Sequence, residues 1–256
     1  MLNSETINQF RDRFRGQILT QEDAAYDDAR KVYNAMISRK PRVIAKCADP
    51  ADVMAAVSFA RENSMRVSVR GGGHNAGGLG VCDDGLVIDL SRISYVHVDP
   101  SSRTVRVGGG ATWSDVDHAT HAFGLAVPSG IVSTTGVGGL TLGGGLGHLT
   151  RQYGLTIDNL ISADLVLADG SFVVASAEEN PNLFWAIRGG GGYFGVVTSF
   201  LFQAHPVKMV CAGPMLWELD QAPDVMKWYR EFMVQAPAEI NGFFAFMTVP
   251  PGPPFP

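Results

Sequence analysis

"SVRGGGHNAGGLGV" (68–81) places three consecutive glycines between a short apolar strand and a histidine. Glycine loses more backbone freedom on folding than any other residue, so such a run is costly. What it offers is local: backbone N–H groups with no Cβ in front of them, forming a concavity suited to phosphate oxygens. Gly71, Gly72 and Gly73 can line an anion, and Arg70 can add positive charge. His74 stands at the exit. Taken alone, this is equally a tight glycine turn, and a lone loop histidine is by default a solvated or capping residue.

Two more runs shift the weighing. "GVGGLTLGGGLG" (136–147) holds seven glycines, and "RGGGGYFG" (188–195) carries a third cluster. Glycine makes up 30 of 256 residues, about 12% against an ordinary usage of ~7%. No glycine precedes a Lys-Ser/Thr pair, so the Walker signature is missing. The nearest approach to GxGxxG, around Gly136–Gly139, follows no clear strand and lacks its distant acidic partner. The strands about it read as antiparallel. Both common nucleotide folds fit poorly.

Composition bounds the rest. A chain of 256 residues suits one large domain or two modest ones, and 46% hydrophobic against 18% charged residues allows a real core. A net charge of −5 without a basic stripe argues against a nucleic-acid partner. Cys47, Cys82 and Cys211 are far apart and form no CxxC pair, against a disulfide scaffold or a structural zinc site. The opening "MLNSETINQFRDRFRGQ" is polar where a secretory signal needs an apolar run. No stretch approaches the ~20 apolar residues that span a bilayer. A soluble, cytoplasmic protein is expected, with no membrane partner.

Along the chain, residues 5–38 read as helix. "PRVIAKCA" (41–48) reads as a strand, and Asp49-Pro50 opens a second helix. "RVSVR" (66–70) is a strand feeding the glycine loop. "GLVIDLS", "ISYVHVDP" and "TVRVGGG" read as a three-stranded meander. "TWSDVDHATHAFG" is a helix closed by Gly124, and Asp169-Gly170 turns a hairpin. Beyond Pro206 a strand over "VKMVCAGPMLWEL", a helix over "APDVMKWYREFMVQAP" and an apolar strand from "GFFAFMTV" into a proline-rich end read as the opening of a further domain.

Four segments together carry a resemblance: "VRGGGHNAGGLG", "PSGIVSTTGVGGLTLGGGLGHLTRQYGLTIDN", "ADLVLADG" and "LFWAIRGGGGYFGVVTSF". In order and spacing they resemble the FAD-linked oxidases of the berberine-bridge-enzyme group, within the vanillyl-alcohol-oxidase flavoprotein superfamily. The resemblance covers about residues 35–206. It implies an α+β fold: an N-terminal helical segment (1–34), a PCMH-type FAD-binding domain of two subdomains (35–206), and an incomplete antiparallel α+β substrate domain (207–256).

By that resemblance the first loop, Arg70 to Gly73 with Asn75 and Gly78, wraps the FAD pyrophosphate. His74 is bonded to the flavin 8α-methyl. A neutral imidazole nitrogen is a competent nucleophile for such a bond. Many members carry a second link from a cysteine where this chain has Val132, so a single tether is expected. The position that helps control oxygen access is Thr135. Ser129, Gly130, Thr134, Gly136, Gly138, Gly139 and Gly144 would line the pyrophosphate and isoalloxazine, with Tyr153 and Gly154 as neighbours. Asp158, Asn159, Ile161 and the backbone at Val197 would lie near the ribose or adenine.

The remaining residues carry blander expectations. His118 and His121 share a helical face, read as solvated in place of a metal site, which needs three or four converging ligands. Trp113, Trp185 and Phe194 read as core aromatics, and the three cysteines as packing residues. His148 and Arg151 could face the flavin or serve structural hydrogen bonds. The implied reaction is hydride transfer from a small organic substrate to flavin N5, with molecular oxygen as acceptor. Family substrates range over sugars, alkaloids and polyketides, and no catalytic residue is assigned. The competing readings are a flavin-binding remnant without turnover, and a non-flavin nucleotide module.

Overall fold

The computed structural model describes residues 4–248. Its first elements are α1 (Ser4–Asp12), the edge strand β1 (Gln17–Leu19) and the single turn α2 (Tyr26–Ala29), where the sequence suggested helix over 5–38. Gly16 explains the break. A Cβ there would run into the Lys46 carbonyl oxygen, so the chain passes flush against a neighbouring strand at that point. The buried Asp52 carboxylate holds it there, accepting from the N–H groups of Arg15 and Gly16, each at 2.8 Å. After α2 the chain to residue 40 is irregular.

β2 (Val43–Lys46) follows, then α3 (Pro50–Glu62), β3 (Val67–Arg70) and β4 (Leu86–Asp89). Asp49 caps α3 as expected, accepting from the Asp52 N–H at 3.1 Å, with Pro50 in the first turn. The sheet order is β1-β2-β4-β3, with β4 parallel to both β2 and β3. The expected meander is therefore corrected for its first strand, while the strands over 96–99 and 104–108 pair antiparallel as expected. β4 is buried at all four positions, as a strand covered on both faces must be. Val43, Ile44, Leu86, Val87 and Ile88 are each at most 1% exposed, and burying each such side chain contributes about 1.5–3 kcal/mol. α3 covers one face with Val53, Ala56 and Phe59, and Phe59 stacks on Phe10 of α1 at 4.1 Å.

The second sheet is antiparallel. Its elements, with intervening helices, are β5 (Val96–Asp99), β6 (Thr104–Gly108), α4 (Trp113–His121), β7 (Leu125–Ala126), α5 (Val137–Leu142), α6 (Thr150–Tyr153), β8 (Leu160–Val166), β9 (Phe172–Ser176), α7 (Pro181–Ile187), β10 (Val196–Gln203) and β11 (His205–Pro206). The strand order is β5-β6-β10-β8-β9, while β11 pairs with β7. Asp169-Gly170 turns the β8–β9 hairpin, with Gly170 at φ +89°. Phe200, Phe202, Val105, Val107 and Leu165 fill the core beneath, with Trp113 of α4 fully buried among them.

Two expected core aromatics are not core: Trp185 is 78% exposed and Phe194 42%. Cys47 and Cys82 are buried, whereas Cys211 is exposed. His118 and His121 lie on an exposed face of α4.

The chain divides into two compact units at Lys208/Met209. Both sheets belong to the first. In the second, the only long element among the described residues is α8 (Ala222–Gln235), where a helix was expected. Tyr229 of α8 donates to the Gly242 carbonyl at 2.7 Å. Neither expected strand forms among the described residues: residues 207–217 and 242–248 are irregular. The proline-rich stretch 249–256 lies outside the described residues.

Candidate functional site

Three glycine-rich segments converge at the C-terminal ends of β3 and β6. A Cβ on Gly72 would lie 2.6 Å from Gly136 Cα, and one on Gly136 would lie 2.8 Å from Gly72 Cα. The first and second glycine runs therefore touch backbone to backbone. The third wall comes from Gly108–Gly110 at the end of β6: Gly71 and Gly138 both face the Gly109 carbonyl oxygen, at 3.2 Å from where each Cβ would be. Of the third run, the turn Gly191–Phe194 lies beside the helix over 137–142, while Cβ atoms at Gly189 and Gly192 would meet open space.

A cavity of about 680 Å³ opens beside this junction, lined by Arg70, Gly71–His74 and Thr134 together with Tyr33, Ser91, Ser94, Gly110 and Thr112. Its volume is that of a typical cofactor site. It sits outside the carboxyl ends of parallel strands, where open α/β sheets place their ligands. Among the hydrogen bonds of the described residues, none uses the N–H of Gly71, Gly72, Gly73 or His74 as donor. Gly73 turns the loop at φ +70°.

Arg70 lines the cavity, but its charge is shared. Its guanidinium pairs with the fully buried Asp89 carboxylate at 2.5 Å, and also donates to the Ala29 and Lys31 carbonyls. Its charge is therefore neutralised locally. Lys31 is likewise paired, with Asp28 at 2.6 Å, and this contact holds the Asp28 carboxyl below its ordinary value. Asp115 is engaged by the N–H and hydroxyl of Thr112, each at 2.8 Å. With these charges paired, the N–H groups of Gly71–His74 are the donors the cavity has free to offer an anion.

His74 is held from three sides. Its ring stacks on Tyr33 with centroids 4.1 Å apart and planes at 18°. Thr134 Oγ1 lies 3.1 Å from Nε2, and Thr135 Oγ1 lies 3.4 Å from Nδ1. Both hydroxyls belong to the segment that leads into Gly136. Val132 is exposed in the same segment.

The other residues singled out in the sequence lie elsewhere or behind the junction. Asn75 fixes its own loop, accepting from Leu79 N–H at 3.1 Å, and Gly78 is packed under Ile37. Ser129 and Gly130 pack against Gly147, and Gly139 faces open space. Gly144 accepts from Ile157 N–H at 2.9 Å. Val197 is buried in β10, its carbonyl behind Gly109. Tyr153, Gly154, Asp158 and Asn159 form a second cluster around a 3₁₀ turn (Thr156–Asn159). There Asp158 accepts from Leu155 N–H at 2.9 Å and meets Arg188 at 3.5 Å. Asn159 donates to the Tyr153 carbonyl at 3.0 Å and lies 2.6 Å from His205 Nε2, while Tyr153 stacks on His205 at 4.0 Å. Ile161 is partly exposed on β8. None of this second cluster lines the cavity.

Comparison with known proteins fits this geometry. Residues 41–176 match the family described as the FAD binding domain. The chain belongs to that family. It is 40% identical to an FAD-linked oxidoreductase of Dictyostelium discoideum over 84% of this chain and 47% of that protein. It is 38% identical to (R)-6-hydroxynicotine oxidase of Paenarthrobacter nicotinovorans, over 79% of this chain and 44% of the relative. Among solved structures, glucooligosaccharide oxidase from Acremonium strictum, described with a 6-S-cysteinyl, 8α-N1-histidyl FAD, superposes with a TM-score of 0.73 at 34% identity. That match covers 78% of this chain and 42% of the other. The chain thus spans about half the length of the curated relatives it matches. Membership agrees with the resemblance read from the motifs and with the α+β architecture. Among the described residues, no helix is long and apolar enough to cross a membrane.

The cradle fits the family's cofactor: unpaired N–H donors for a pyrophosphate, glycines where side chains would collide, and a cavity of matching size. Sequence reasoning missed Tyr33, Ser91, Ser94 and Thr112. The "VGGG" at 107–110 was the available signal for the third wall, overlooked because it ends a strand.

Proposed function

We propose that this chain is the flavin-bearing part of an FAD-dependent oxidoreductase in which His74 carries the cofactor covalently. The observation supporting this most directly is the setting of His74, with both ring nitrogens beside threonine hydroxyls at the end of a run of unpaired N–H groups. In this reading the N–H groups of Gly71–Gly73 hold the pyrophosphate. Thr134 and Thr135 fix the tautomer and plane of the imidazole. With FAD bound there, attachment would replace one C–H of the flavin 8α-methyl and the imidazole N–H with a C–N bond, the two hydrogens passing to dioxygen as hydrogen peroxide. Val132 has no thiol, so the tether is single, unlike the doubly linked flavin of the Acremonium oxidase.

Bound FAD supplies a hydride acceptor for a small organic substrate. The relatives' names point to sugars or alkaloids as the substrate class and oxygen as the acceptor. The test is anaerobic mixing with a panel of oligosaccharides and cyclic amines, followed by readmission of air. Bleaching of the flavin absorbance, then peroxide, is expected for one class. Flavin that stays oxidised with every substrate would favour binding without turnover.

A further inference from the structure

The irregular segment after α2 is a strap across the first glycine loop. Arg70 donates to the carbonyls of Ala29 and Lys31 at its start. Tyr33 N–H donates to the Gly73 carbonyl at 3.0 Å, and the Asn34 side chain to the Ala76 carbonyl at 2.8 Å. Arg39 closes it, donating to the carbonyls of Gly78 at 2.7 Å and Val81 at 2.9 Å. Each tether joins the strap to residues 70–81: the Arg70 guanidinium reaches the strap's carbonyls, and the others end on loop carbonyls. At the middle of the strap Tyr33, itself 69% exposed, lays its ring flat on His74 at 4.1 Å.

We propose that Tyr33 is a positioning residue for flavin attachment, its ring serving as the platform that fixes the His74 imidazole plane. The proposal rests on the covalent reading above. Hydroxyls alone leave the imidazole a freedom: Thr134 and Thr135 meet its edge, and a ring held only at its edge can tilt out of plane. A stacked ring removes that tilt and presents the attacking nitrogen along one direction. An off-axis nitrogen loses the near-attack geometry on which an intramolecular bond-forming step depends. The tyrosine hydroxyl has no hydrogen-bond partner among the described residues, so the ring face is what acts. The strap's tethers set the height of that platform through the Tyr33 main-chain N–H and the side chains of Asn34, Arg39 and Arg70, all of which substitution of Tyr33 leaves in place.

The test follows adduct formation on the full chain, produced under flavin limitation and then given FAD. Intact mass under denaturing conditions reads the covalent product with time, and flavin fluorescence reads non-covalent affinity. Tyr33→Ala is expected to slow attachment about two- to tenfold at saturating FAD, the span corresponding to one aromatic pair, with any change in affinity read separately by fluorescence. Tyr33→Leu, which keeps apolar bulk without a ring, should match Tyr33→Ala, and Tyr33→Phe should restore the wild-type rate. Attachment at the wild-type rate in both ringless variants overturns the role of Tyr33, as does Tyr33→Phe behaving like Tyr33→Ala. A wild-type chain that never forms the adduct overturns the attachment reading itself.

Discussion

Gly72→Ala is the perturbation that the cradle should tolerate least. The added methyl would sit 2.6 Å from Gly136 Cα and closer still to Gly136 N, against an optimal carbon–carbon separation of about 3.5–4.0 Å. Both obstructing atoms are backbone, so no side chain can turn aside, and the two loops must part by roughly 1 Å. Overpacking of this kind costs about 1–3 kcal/mol. In a unit of this size each kcal/mol moves Tm by about 2–4 °C, so a fall of about 2–12 °C is expected. Separated loops also carry the His74 ring away from the Thr134 and Thr135 hydroxyls, and FAD affinity should drop with stability. Gly139→Ala is the matched control: a Cβ there meets nothing within 4 Å, and alanine in a helix gains up to about 1 kcal/mol over glycine. Calorimetry of both variants, with and without FAD, decides. A Gly72→Ala protein that melts with the wild type would refute the backbone contact between the two runs.

Two further outcomes are expected. Asp89→Asn leaves the Arg70 guanidinium without its buried carboxylate, which should cost about 3–5 kcal/mol, read as a lower urea midpoint, and should loosen the strap at Ala29 and Lys31. Burial holds the His205 imidazole below its ordinary value, so the unfolded chain takes up that proton first. The stability His205 contributes is then full above about pH 6.5 and is lost as pH falls through the lower folded value. Urea midpoints from pH 8 to 5 should show this decline, and His205→Gln should flatten it.

Local chemistry was legible in the sequence wherever it decided the structure. Asp49-Pro50 opened a helix and Asp169-Gly170 turned a hairpin because each depends on atoms within a few residues. The pairing of β4 was not legible. Its three apolar residues suit a meander as well as a parallel ladder, and the choice falls to β2 and α3, which are distant in sequence. The segment 31–40 misled in the same way. Its composition favours helix, but main-chain and side-chain hydrogen bonds to the glycine loop outweigh an isolated helix of that length, which is marginal in water. At the site, the glycine runs and His74 stood out as local anomalies. Arg70 was recognised as a cation, but the carboxylate that neutralises it, Asp89, lies nineteen residues away on β4. Tyr33 gave no signal at all, since an aromatic ring beside a histidine exists only after the strap is folded.

Intact mass of the purified chain under denaturing conditions, beside His74→Ala, tests the central claim most directly. A single flavin-sized increment on the wild type, absent from the variant, is the predicted result. A wild-type chain whose yellow colour separates from the protein on denaturation, with no mass increment, would contradict the covalent role of His74.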